Sequence, residues 1–319
     1  SLIRDRNGNE MSFLNDGAGR LETVVDTLGR SIQFFYTFEG RIQEVRDFAG
    51  RSVMYGYDPH GDLVSVRSPI VVGTPTGNDF PGGKTVTYTY HSGCLNPELN
   101  HNLLTMTDAQ GQVFCVCAFD AEDRVTKQFY GTGIFTFDHD PLLRVTKVKD
   151  RRGTVTEYEW NAAGNVTRET VFTRGLRPGD PASFTTSREY SADQLVTRTQ
   201  YARGNSVEYV FDSANPDRLA QANLVDIIQK ANGIPGDQAE IKVHIDYEAQ
   251  FQLPKRVTDP RDGGTPGRFT TTFVFDYELG EGSAGNVVQV FAPTVTEGVG
   301  APQTIVSRMS YNARGQLTS

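Results

Sequence analysis

The residues of this chain that could do chemistry are few and far apart. Asp138-His139-Asp140 is the one place where an imidazole stands between two carboxylates, the make-up of an acid/base pair. It falls between the alternating run Phe135-Thr136-Phe137 and Pro141, where a strand end and a turn are expected, and Asp140-Pro141 is ordinary turn chemistry. Cys115 and Cys117 stand two residues apart, so on a strand they share one face and read as small buried hydrophobes. A disulfide from Cys94 to one of them stays open for an oxidising compartment. His91 and His101 flank Cys94, but in a loop, and a closed metal site would need a fourth ligand and nearer histidines. Asp259 and Asp262, within the Gly/Pro-rich stretch Thr258–Gly267, lack the spaced oxygen ligands of a calcium loop. Gly-x-Ser-x-Gly, the P-loop, His-Glu-x-x-His and Cys-x-x-Cys are all missing. The sequence therefore assigns no catalytic residue, no metal and no cofactor.

The remaining acidic residues argue in the same direction. Asp26, Asp47, Asp108 and Asp150 each stand three residues before a glycine, as does Asp58 before Gly61. An aspartate bonds its own backbone two residues on, and glycine accepts positive φ without a Cβ clash, so Asp-x-x-Gly is a turn. A catalytic residue is not needed once per structural unit, whereas a turn residue is.

What positions these turns is a repeat. Steps of 21 residues lead from Gly8 to Gly29 and Gly50, from Gly19 to Gly40 and Gly61, and from Tyr36 to Tyr57. Fixed-period self-similarity means one small unit used many times. In Arg41-Ile42-Gln43-Glu44-Val45 the side chains alternate as a half-buried strand requires. Two short strands and two turns per unit make one hairpin, and a lone hairpin is marginal in water, so neighbouring units must pair edge to edge. The closing aromatics Tyr36 and Tyr57 are expected on the buried face. Drifting copies follow at Gly111, Gly153 and Gly164, at Tyr190-Ser191-Ala192-Asp193 with Asp193 in the expected glycine slot, at the strand ends Tyr209–Asp212 and Val274–Tyr277, and at Tyr311 with Gly315.

Tyr57-Asp58-x-x-Gly61-Asp62-Leu63, preceded by Gly-Arg-(Leu/Ile)-x-x-Val and Asp-x-x-Gly-Arg, resembles the RHS/YD-repeat family, as does Gly204–Asp212. The likeness covers most of the chain outside its insertions. It implies a strip of antiparallel hairpins winding into a β-spiral or shell, of the kind found in bacterial RHS shells, insecticidal toxin-complex shells and teneurin-like proteins. It also implies, at the C-terminal end of such arrays, an aspartyl-protease-like core that releases a toxic domain. The Asp-Pro-x-Gly spacing occurs here at Asp58-Pro59-His60-Gly61, within a regular repeat, and the conserved end region of that core is not recognised in these residues, so neither cleavage nor a toxin is carried over.

The fold expected is all-β: one array of hairpins with a period of about 21 residues and one short inserted helix. Regular repeats are expected over 1–68, a loop-rich insertion over 69–102, degenerate repeats over 103–212, a helical insertion over 213–240 and further repeats over 241–319. Loops are read at Pro69–Lys84, Gly93–Asn102 and Thr173–Ser183, as connectors. In the 213–240 segment Asn215-Pro216 offers an N-cap and a proline at N1, and Leu219, Ala222, Leu224, Ile227 and Ile228 recur near helical spacing before Gly233 and Pro235. A helix of about 14 residues on a face or edge of the sheet is the expectation.

A formal charge of −8, with arginines scattered one or two per unit, excludes a general nucleic-acid surface. No run of 18 apolar residues spans a membrane as a helix. Both ends lie inside the repeat, which is expected of a piece of a longer secreted or cell-surface bacterial protein. The expected role is structural: part of a shell around a cargo polypeptide, with an extended fibre or adhesin binding carbohydrate or neighbouring cells as the alternative. The expected partners are further repeats of the same polypeptide or more copies of it, an enclosed cargo, or surface carbohydrate.

Overall fold

The computed structural model describes residues 1–319 apart from 176, 234, 237 and 295–302. Its construction starts from the turn. In Asp47-Phe48-Ala49-Gly50-Arg51, Asp47 Oδ1 accepts the backbone N–H of Ala49 and of Arg51, each at 2.9 Å, and Oδ2 accepts from Arg51 Nε at 2.7 Å. Gly50 N–H donates to Asp47 O at 3.0 Å with Gly50 at φ 76°, a left-handed backbone that costs glycine nothing. The same clamp closes at Asp16/Arg20, Asp26/Arg30 and Asp120/Arg124. Elsewhere the arginine is replaced and only the backbone half of the clamp remains, as at Asp58/Asp62, Asp108/Gln112, Asp150/Thr154 and Asn161/Asn165. The glycines at 19, 29, 40, 61, 111, 153, 164 and 315 all occupy the left-handed slot. In the copy at Tyr190 that slot is filled by Gln194, at φ 63°, and not by Asp193; the expectation was one residue out.

Among the described residues such turns, with a few longer insertions, join 24 antiparallel strands. They are β1 (Leu2–Arg4), β2 (Glu10–Asn15), β3 (Leu21–Val25), β4 (Ser31–Tyr36), β5 (Ile42–Arg46), β6 (Ser52–Tyr57), β7 (Leu63–Arg67), β8 (Thr85–Tyr90), β9 (Leu103–Thr107), β10 (Val113–Phe119), β11 (Val125–Tyr130) and β12 (Gly133–Asp140). Then come β13 (Val145–Lys149), β14 (Val155–Trp160), β15 (Val166–Phe172), β16 (Ser183–Tyr190), β17 (Val196–Gln200), β18 (Ser206–Phe211), β19 (Leu224–Lys230), β20 (Glu240–Tyr247), β21 (Pro254–Thr258), β22 (Thr270–Phe275), β23 (Val287–Phe291) and β24 (Val306–Arg308). One compact unit comprises residues 1–140 and 146–155, the other 141–145 and 156–319.

On alternate hairpins the strand register slips by one residue just before the closing tyrosine, as at Phe35/Tyr36, Gly56/Tyr57 and Thr89/Tyr90. The bulge re-aims the side chain. The hydroxyl of Tyr57 then donates to Ile42 O at 2.8 Å, that of Tyr90 to Leu63 O at 2.9 Å and that of Tyr36 to Leu21 O at 2.5 Å. Each acceptor is the first strand residue after the preceding turn on the same edge. Tyr190, Tyr247 and Tyr311 reach Val166, Leu224 and Val287 in the same way. The tyrosine is thus a staple from one unit to the one before. Arginines of the preceding turn add to it: the Arg20 guanidinium lies 4.5 Å from the Tyr36 ring centre and Arg41 5.8 Å from that of Tyr57. A Cβ on Gly61 would lie 2.0 Å from an Arg41 nitrogen, so this glycine also makes room for the guanidinium.

A further expectation fails. Among the described residues of the 213–240 segment there is no α-helix; Ala220–Ala222 is a single 3-10 turn and Leu224–Lys230 is β19, paired on both sides. Residues 234 and 237 of that segment lie outside the described residues, as do 176 of the 173–183 loop and 295–302 of the last repeats. The α-helix among the described residues is α1 (Asp276–Leu279), where Asp276, only 4% exposed, caps an enlarged turn by accepting from Tyr277 N and Gly285 N.

Candidate functional site: an apolar face without a second layer

Residues directly opposite on paired strands share a face of the sheet. In the first unit one such face is apolar from strand to strand. Ile3 pairs with Met11, Phe13 with Val24, Val24 with Ile32, and Phe34 with Val45. The row continues from Val45 to Val53, Tyr55 to Val66, Val66 to Val86, Tyr88 to Met106, and Met106 to Cys115. The opposite face is mixed: it pairs Thr23 with Gln33, Glu44 with Met54, Ser65 with Thr87 and Thr87 with Thr107, and at the closing ends Tyr36 with Ile42, Tyr57 with Leu63 and Tyr90 with Leu103. The second unit repeats the division. Tyr209, Ile227 and Val243 pair in turn, then Ile245 with Val257 and Phe273 with Val290. Its other face carries ion pairs, Lys230 to Glu208 at 2.7 Å, Lys242 to Asp226 at 3.0 Å and Arg256 to Asp246 at 3.0 Å. His244 donates to Asp226 at 2.6 Å within the same ladder. Desolvation pushes the Asp226 carboxyl up, but hydrogen bonds from His244 and Lys242 outweigh it and hold the group below its ordinary value.

A sheet with one apolar face ordinarily buries it under a second layer. Among the described residues the strands pack chiefly against their chain neighbours, with α1 also against β22 and β20 against the short 3-10 turn Pro260–Asp262. Among the described residues the buried apolar side chains are accordingly few: Cys115, Cys117, Ala220, Phe275 and Val288. Most stripe residues are half-buried among their in-plane neighbours, Ile32, Val45 and Val53 also face the 69–84 insertion, and Ile3, Met11 and Ile32 are exposed.

The residues singled out from the sequence fall into place around this face. His139 belongs to no acid/base pair. Its Nε2–H donates to Val125 O at 2.9 Å, which is the bond a staple tyrosine makes, and its ring stacks on Phe137. His139-Asp140 is a Tyr-Asp pair with the tyrosine replaced. Because a carbonyl only accepts, the ring holds its proton on Nε2. Cys115 and Cys117 do share a face, with Sγ atoms 3.8 Å apart and exposures of 2% and 7%. Burial pushes the Cys117 thiol up. Cys94, Cys115 and Cys117 stand unpaired in the structure. Cys94 instead lines a cavity of about 430 Å³ with His91, Leu99 and Cys117. Among the described residues no three His, Cys, Asp or Glu side chains are grouped to hold a metal. The Asp259 carboxylate is held down to about 2 by Arg261, whose guanidinium and backbone N–H both donate to it.

Two features escaped the sequence. One is the face itself, whose pairings depend on every bulge. The other is the insertion at 69–84, which is more than a connector. Val71 and Phe80 pair as an isolated bridge, and Asp79 accepts from Gly73 N and Thr74 N at 2.9 and 2.8 Å. The insertion walls a groove of about 590 Å³ whose other wall includes Ile32, Val45 and Val53 of the apolar row. The exposed residues Ile70, Val72 and Phe80, clustered in a segment otherwise rich in glycine and proline, were the available signal.

Residues 139–175 match the model of the RHS repeat. No curated protein matches the sequence. Among solved structures, the chain is similar to the TcdB2-TccC3-Cdc42 crystal structure at 11% identity and a TM-score of 0.39, over 98% of this chain and 22% of that one. It is similar to the Photorhabdus luminescens Tc holotoxin pore at 11% identity and a TM-score of 0.40, over 98% and 21%. A porin-like protein from Bacteroides uniformis aligns at 11% identity and a TM-score of 0.28, over 87% and 93%. The chain spans about a fifth of the length of the two toxin structures.

Proposed function

From a chain that carries an RHS repeat at residues 139–175, we propose a structural segment of a large secreted or cell-surface bacterial protein, part of an RHS-type shell that encloses a passenger polypeptide. The observation that carries this reading is the apolar row from Ile3 to Cys115, which has no second layer of strands or helices among the described residues. A continuous apolar surface of this kind is a partner surface. Its aliphatic and aromatic side chains offer non-directional contacts, which suit a partly unfolded passenger of no fixed shape. The other face carries the ion pairs together with the closing tyrosines. Remaining repeats of the same polypeptide, or further copies, would extend the wall.

No part of this role needs chemistry. The recurring aspartates are spent on turns, and His139 on a staple. No helix among the described residues is long and apolar enough to cross a membrane. Electron microscopy of the natural full-length assembly tests the proposal: closed hollow particles holding extra density support a shell, whereas rods or filaments overturn it in favour of an extended fibre.

A further inference from the structure

We propose that the groove between the 69–84 insertion and the strands β4, β5 and β6 binds a single-chain anionic amphiphile, an alkyl carboxylate of the fatty-acid type. The groove is preformed. Its base is closed by Ser68 N–H to Lys84 O and Lys84 N–H to Ser68 Oγ, both 2.8 Å, and by Gly83, where a Cβ would lie 2.4 Å from Ser68 O. Its tip is held by the Asp79 carboxylate on Gly73, Thr74 N and Thr74 Oγ1.

Its walls are apolar on both sides, Ile32, Val45 and Val53 from the sheet facing Ile70, Val71 and Phe80 from the insertion. Ile70 and Val71 remain 61% and 38% exposed, apolar surface left in water unless an apolar occupant covers it. The volume of about 590 Å³ lies within the usual range for small-molecule sites. Charge selects the head group. Arg51 at the rim is neutralised by Asp47 at 2.5 Å. Lys84 is not: its Nζ lies 3.8 Å from the Phe80 ring centre and it has no carboxylate partner among the described residues. An alkyl chain lying between the two walls would bring its carboxylate to Lys84 at the mouth. This goes beyond the passenger reading and does not depend on it, since the apolar row continues well outside the groove, at Val86, Tyr88 and Met106.

The test is calorimetric titration of the chain with decanoate, below its micelle concentration, beside decyltrimethylammonium. Saturable one-site binding of decanoate is expected, with the cation at least tenfold weaker. Lys84→Gln should weaken decanoate by about two- to fivefold, the worth of one partly exposed charge pair, and less at high salt. Ile70→Asn and Val53→Asn should each weaken it tenfold or more. Ile70 is exposed, so that variant does not threaten the fold. Absence of saturable decanoate binding, equal affinity for the cation, or indifference to Ile70→Asn overturns the site.

Discussion

The tyrosine staple makes a prediction that can be followed to a number. Tyr57→Phe removes one hydroxyl and leaves the ring, so it deletes the 2.8 Å hydrogen bond to Ile42 O and little else. A hydrogen bond of this kind contributes about 1 kcal/mol, and a half-buried carbonyl regains part of the loss from water. Each unit touches only its neighbours, so the effect is local: stability in such an array is a sum of unit and interface contributions. About 1 kcal/mol raises the local opening constant of β5 and β6 roughly fivefold. Tyr57→Ala loses the half-buried ring and the Arg41 contact at 5.8 Å as well. Full burial of such a ring is worth about 3–5 kcal/mol, so half of it adds roughly 2 kcal/mol, and opening should rise about a hundredfold or more. Native-state hydrogen exchange reads both, since amides of β5 and β6 should speed up in that order while β15 and β16 do not change. If Tyr57→Phe leaves exchange untouched and Tyr57→Ala accelerates it, the ring alone holds the units together and the staple is wrong.

Three further outcomes are expected. The carboxyls of Asp26, Asp47 and Asp120 are held low first by their arginine partners, and Asp16 first by the Arg20 backbone N–H. A carboxyl depressed on folding stabilises above its unfolded value near 4 and loses that contribution as pH falls through the folded value. Denaturation midpoints should therefore be level from about pH 7 to 5 and fall below about 4, and Arg30→Ala and Arg51→Ala should flatten the fall; an unchanged acid limb would contradict the clamp. Gly50 and Gly61 both sit at positive φ, but a Cβ on Gly50 meets open space while one on Gly61 meets Arg41. Alanine at Gly50 should cost about 1 kcal/mol and at Gly61 measurably more in urea unfolding, the excess vanishing in an Arg41→Ala background. Finally, a thiol reagent should label half-buried Cys94 in the native protein and reach Cys115 and Cys117 only on unfolding; three equally fast thiols would contradict the burial.

Local chemistry was legible and long-range pairing was not. The Asp-x-x-Gly turns and the closing tyrosines could be read because each is decided within five or so residues. The helix expected over 213–240 failed because Leu219, Leu224, Ile227 and Ile228 fit a helical stripe as well as a strand, and pairing decided. Ile227 lies between Tyr209 and Val243, and Tyr247 staples to Leu224 O as its counterparts do elsewhere. The β-branched run Val225, Ile227, Ile228 and the recurrence of the staple were the overlooked signals. His139 was hard to read as a tyrosine equivalent because only the position of its ring nitrogen reveals the shared bond. The apolar face was hidden by the bulges, each of which shifts the count of inward residues by one.

The central claim is that the apolar face, and not the sheet at large, receives a polypeptide. Val53 lies in the apolar row and its neighbour Ser52 on the other face, so Val53→Asp and Ser52→Asp place the same charge on opposite sides of β6. The measurement is capture of a reduced and alkylated, permanently unfolded polypeptide by the two variants, with circular dichroism confirming that both retain their strands. Loss of capture with Val53→Asp and retention with Ser52→Asp is the result predicted. Equal capture by both, or loss by Ser52→Asp alone, would contradict the account.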